Sequence, residues 1–158
     1  MSQKTVEQRL AEQGIELPSP HPPGAIYKRM VVSGNMLYVS GNIPIREDGT
    51  MITGRAGDTM TTQEAKAVAR YVGLVMLANI QDELGSLNQI HKLVKTLGMV
   101  NSTPDFGEQP EVINGYSELM QEVFGLDNGT GARSAVGMIL PRGVAVEIEA
   151  IFELKEYK

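Results

Sequence analysis

The residues able to do chemistry crowd into one stretch, Gly131 to Leu154, GARSAVGMILPRGVAVEIEAIFEL. Arg133 stands near its start, and Glu147 and Glu149 stand in its second half. Charges inside otherwise apolar strands are costly to bury unless they are paired or used. A planar guanidinium can hold a carboxylate through two parallel hydrogen bonds. Arg133 alternates with Ala135 and Gly137 on one strand face, so its small neighbours leave room for such a ligand. Glu147 and Glu149 lie two apart and share a face, and their repulsion can raise one carboxylate toward the range useful for acid–base work. The same residues also fit blander readings: an ion pair from Arg133 to Glu147 or Glu149 across a hairpin, or a solvated strand face.

Other chemistries find less support. The chain has no cysteine, which removes thiolate nucleophiles, disulfides and Cys-ligated metals. His21 and His91 have no metal-ligand spacing, so no metal site is expected. Ser40-Gly41 closes a strand pattern, but no G-x-S-x-G elbow surrounds it. Gly34, Gly41, Gly54 and Gly57 form no phosphate-binding motif. Tyr27 could donate to a ligand, although its pattern is that of an ordinary strand aromatic. A net charge of −5 without a Lys/Arg run argues against nucleic acid. The N-terminal MSQKTVEQRLAEQG has no apolar signal core, and no run of 18 apolar residues exists, so a cytoplasmic protein with no membrane segment is expected.

The elements that position these residues follow from punctuation and periodicity. Ser2 or Thr5 caps a short helix reaching about Gln13, and LPSPHPPG is an extended lead-in. Ile26 to Ser40 reads as two strands around Ser33-Gly34-Asn35. Pro44 and Asp48-Gly49 mark a loop with a short edge. Thr61 to Leu84 is a long helix, with Thr61 or Thr62 as cap, Glu64 as its box partner and Gly85 as stop. Leu87 to Asn101 contains a strand. Pro110 opens a second helix that ends at Phe124 before Gly125. Gly131 to Leu154 then reads as two strands joined by a Pro-Arg-Gly turn. Helices of this length cover one face of a four- to six-stranded sheet. In the last strand Val144, Val146, Ile148, Ala150, Phe152 and Leu154 face the helices. Ala145, Glu147, Glu149, Ile151 and Glu153 make a mixed second face suited to another subunit. At 158 residues the chain fits one domain, 1–158, with 1–22 as helix and lead-in.

The motifs Gly34-Asn35, Tyr38-Val-Ser-Gly-Asn-Ile-Pro44, Ala132-Arg-Ser134 and Leu140-Pro141 followed by Val146-Glu-Ile-Glu-Ala150 resemble the Rid family. That family is also called YjgF/YER057c/UK114 or L-PSP endoribonuclease-like. The resemblance runs from about Pro23 to Leu154, and Asn114-Gly115 and the extra N-terminal helix look like its longer subgroup. It implies an α+β fold of the bacterial chorismate mutase type and a homotrimer with inward-facing sheets and clefts between subunits. It further implies cofactor-free hydrolysis of reactive enamines and imines, of the 2-aminoacrylate type, to 2-keto acids and ammonia. By resemblance Arg133 grips the substrate carboxylate, Glu147 positions water, and Tyr27, Ser40 and Gly41 line the pocket. Ala135 stands where a water-holding cysteine is common in deaminating members, and Asn42 replaces a common glutamine. A non-catalytic keto-acid binding protein is the main alternative, and an endoribonuclease the weaker one.

Overall fold

The structure is a computed structural model that describes residues 4–156. Thr5 caps the first helix, α1 (Val6–Glu12), in a reciprocal box with Gln8, while Ser2, the other candidate cap, lies outside the described residues. Gly34, with φ +61, turns the chain between β1 (Met30–Ser33) and β2 (Met36–Asn42). The first strand begins at Met30, so Tyr27 is no strand aromatic but part of the irregular approach to it.

Thr61 and Glu64 close a capping box on α2 (Thr62–Leu84), and Gly85 in the left-handed region ends it. Then come β3 (Ile90–Asn101), α3 (Gln109–Phe124), β4 (Ala132–Met138) and β5 (Val146–Leu154). Both long helices cover one face of a five-stranded sheet ordered β1-β2-β5-β3-β4. They approach closely because Gly115 faces the α2 backbone. A Cβ there would stand 2.1 Å from the Lys66 carbonyl oxygen. Tyr116, Met76, Ile113, Leu119 and Phe152 fill the space between helices and sheet, all fully buried.

The strand order corrects one expectation. β4 and β5 are no hairpin: β4 runs parallel to β3, β5 runs antiparallel to β3, and β3 lies between them. Residues 139–145 carry the chain past the end of β3. Thr53 bridges to Val144, and the Gly54 N–H donates to the Gly143 carbonyl, which pins that passage to the rest of the molecule. Ala145, assigned by alternation to the second face, is buried, because the strand starts only at Val146. The remaining alternation in β5 is as expected: even-numbered positions are buried, odd-numbered ones partly or fully exposed.

Candidate functional site

Registry fixes where the charged residues point. Arg133 pairs with Thr96, which pairs with Ala150 on the helix-covered face. Glu147 pairs with Met99, three residues further along β3 and therefore on the other face. An ion pair across β4 and β5 is thus ruled out by geometry. Arg133 reaches α3 instead. Its Nη1 donates to Asn114 Oδ1 at 2.8 Å and Ser117 Oγ at 3.1 Å, and its Nη2 to the Pro110 carbonyl at 3.3 Å. Ala135 lies beside it on the same face, packed against the core, and Gly137 faces Ser102 and Gln109.

Glu147 meets β2 where that strand is irregular. Val39 pairs with Ala150 and Asn42 with Ile148, so Ser40 and Gly41 together oppose Glu149 in a bulge. The bulge brings Gly41 onto the Glu147 carboxylate: a Cβ at Gly41 would sit 2.2 Å from Oε1. Burial pushes the Glu147 carboxyl above its ordinary value of 4.5, and the nearby Glu149 carboxylate adds to the rise. Glu149 itself is exposed.

Tyr27, Ser40 and Gly41 do converge. They line one cavity of about 240 Å³ between the lead-in, β2 and the Pro141–Gly143 turn. Ser40 Oγ donates to the Lys28 carbonyl at 2.7 Å, so its hydroxyl is used in holding the irregular approach to β1. Glu147 adjoins this cavity through Gly41, while Arg133 and Ala135 lie outside it.

The cavity also contains Asn79, Arg29 and Arg142, which the sequence did not single out, together with Asn42 and His21, to which it gave no role here. Asn79 on α2 and Asn42 on β2 are 7% and 8% exposed, too buried to be solvated. Asn79 Nδ2 donates to Asn42 Oδ1 at 2.8 Å, and Asn42 Nδ2 donates to the Ser40 carbonyl at 2.9 Å. The His21 N–H donates to Asn79 Oδ1 at 3.0 Å. This chain of amides ties the proline-rich lead-in and the bulge to α2. His21 Nε2 is shut off from solvent with no partner among the described residues. Arg29 faces the cavity but is paired with Asp82 at 2.7 Å and Glu83 at 3.0 Å. Arg142 completes the rim. A signal for the amides existed in the asparagines themselves, which are rarely buried unless bonded. Their pairing spans 37 residues and has no local pattern.

Among the described residues no helix is long and apolar enough to cross a membrane, and no group of three or more His, Asp or Glu could hold a metal ion.

Comparison with known proteins agrees with this architecture. Protein TCP17 of Trypanosoma cruzi is 41% identical over 150 residues, covering 94% of each chain. The crystal structure of Atu1372 from Agrobacterium tumefaciens, of unknown function, superposes with a TM-score of 0.84 at 40% identity, covering 96% of this chain and 94% of that one. RidA from an Antarctic Psychrobacter matches with a TM-score of 0.58 at 27% identity, covering 86% and 94%. A family model described as YjgF/chorismate mutase-like, putative endoribonuclease, matches residues 7–144. With that match over most of its length, the chain belongs to the YjgF/chorismate mutase-like family, the Rid family to which its motifs point.

Proposed function

We propose that the protein hydrolyses reactive 2-imino acids and their enamine tautomers to 2-keto acids and ammonia, without a cofactor. The observation that carries this reading is the Gly41–Glu147 contact. It holds a carboxylate of raised proton affinity at the edge of a cavity lined by Tyr27 and Ser40. Glu147 accepts a proton from a water as the oxygen adds to the C=N carbon, and the imine nitrogen takes up a proton. The resulting carbinolamine breaks its C–N bond, releasing ammonia and leaving a C=O. General-base assistance of this kind is worth about 10²–10⁴-fold.

In this reading the substrate carboxylate is gripped by Arg133 of the partner subunit, in a homotrimer with inward-facing sheets. Within one chain that guanidinium leaves the opposite face from Glu147. The face that would be covered carries Val31, Tyr38, Val136 and Met138, all large and exposed. Keto-acid release from freshly generated imines is the test. Glu147→Gln and Arg133→Ala should each fall to the spontaneous rate while keeping the mass of the assembly. Wild-type turnover no faster than buffer would end the proposal, and a monomer in solution would remove the cleft it needs.

One observation favours a second reading, a keto-acid binding protein without catalysis: Ala135, beside Arg133 on β4, is a methyl packed on the core and can hold no water. Calorimetric binding of 2-oxobutyrate by a sample that shows no imine turnover would select it.

A further inference from the structure

We propose that Arg142 is a specificity residue of this cavity, selecting ligands with a second anionic group, such as dicarboxylic 2-imino and 2-keto acids. The inference rests on the carboxylate-ligand reading above and names its substrate class. Four observations carry it.

The cavity is lined by Arg142, Arg29, His21 and Tyr27 but by no aspartate or glutamate. Its lining charges are the two guanidinium groups, and the Glu147 carboxylate adjoins it at Gly41, the reacting end. Of the two arginines, Arg29 is neutralised by Asp82 and Glu83. Among the described residues Arg142 has no hydrogen-bond acceptor and no acidic partner, so its charge is available to a ligand.

The backbone that carries Arg142 is also fixed, while its side chain is exposed. The turn that bears it is held by the Thr53–Val144 bridge, by the Gly54 N–H on the Gly143 carbonyl, and by the Val144 N–H on the Pro141 carbonyl. Arg142 adopts φ +56, ψ +17, and is the only non-glycine residue with positive φ among the described residues. This left-handed backbone is disfavoured for a residue that bears a side chain, and such strain gathers at ligand-binding positions. Gly143 next to it, also left-handed, shows the residue type that such a turn ordinarily takes.

The separate element that bears Arg142 explains why a second group is needed to reach it. Ser40 and Gly41 lie beside Glu147, where the reacting carbon belongs, whereas Arg142 stands on a separate element of the rim. A ligand held by its 2-carboxylate at the reacting end can present a distal carboxylate to Arg142. A short apolar imino acid cannot.

The test is calorimetric titration of the intact protein with 2-oxobutyrate and 2-oxoglutarate, in wild type, Arg142→Gly and Arg142→Lys. Glycine suits the left-handed turn, so this variant keeps the fold. Wild type should bind 2-oxoglutarate about tenfold tighter, the size of one charge-assisted hydrogen-bonded contact. Arg142→Gly should lose that preference while 2-oxobutyrate binding stays within about twofold. Arg142→Lys should keep part of it. No preference in wild type, or equal weakening of both ligands in Arg142→Gly, overturns the inference. Arg142-dependent preference without imine turnover would sink the proposed hydrolysis and leave this inference standing. Turnover of an alanine-derived imine with no such preference would do the reverse.

Discussion

Arg133 and Glu147 leave the sheet from opposite faces, with β3 between their strands. The two residues that chemistry would most readily pair are therefore placed apart by one chain, and only an assembly could join them. Arg133 meanwhile fastens β4 to α3 through Asn114, Ser117 and the Pro110 carbonyl.

Two roles for Arg133 can be separated. Arg133→Ala should cost about 1.5–3 kcal/mol of stability, since hydrogen bonds made by a charged group are lost at a partly buried site. The double variant Asn114→Ala, Ser117→Ala should lower the urea midpoint comparably but retain imine hydrolysis. If the double variant is as inactive as Arg133→Ala, the arginine acts only by holding α3.

Glu147 gives a signed pH dependence. Its folded-state pKa lies above the unfolded value, so the native state binds this proton more readily. Stability is then lost as pH rises from the ordinary glutamate range through the raised value, the reverse of a salt-bridged acid. Glu147→Gln should raise Tm at pH 7, and the gain should vanish near pH 4. In wild type the acid limb of the kcat profile should sit above 4.5, and Glu149→Gln should move it down.

Gly41→Ala is expected to be folded and inactive. The new methyl would occupy the place of Glu147 Oε1 and drive the carboxylate aside. A loss of about 10²-fold in kcat with an unchanged circular dichroism spectrum is the expected result, measured on keto-acid release.

Asn79→Ala should cost about 1–3 kcal/mol, because it strands the Asn42 side-chain oxygen and the His21 N–H. Hydrogen exchange should show the segment 17–24 opening far more often than in wild type. Protection unchanged from wild type would show that the amide chain does not hold the lead-in.

Gly115→Ala should destabilise by about 1–3 kcal/mol through overpacking, since the Lys66 backbone cannot yield as a side-chain tip could. A thermal melt decides it.

Much of the fold was legible because it is written locally. The Thr61–Glu64 box, Gly85, Pro110 and Gly125 mark helix ends by their own backbone requirements, and each stands where the structure ends or begins a helix. The strand partners were not legible in the same way. Leu140-Pro-Arg-Gly143 has the chemistry of a turn, and turn chemistry says nothing about which strand the chain joins afterwards. β5 joins β2 and β3 because its even-numbered apolar residues are needed beneath both helices. The site divided along the same line. Tyr27, Ser40 and Gly41 come together around a bulge, whereas Asn79, His21 and Arg142 enter by tertiary packing that no local spacing announces.

The central place of β5 bears on how the molecule is made. β2 and β3 are both synthesised before the strand that fills the gap between them, and β5 is the final strand of the sheet. Until β5 has left the ribosome, each flanking strand has an unpaired inner edge, and Glu147 is not yet beside Gly41. The nascent chain must therefore wait with exposed strand edges, which favour association with other chains. A chaperone that shelters those edges would act before the final strand enters, and no partially synthesised chain could carry the Glu147–Gly41 site.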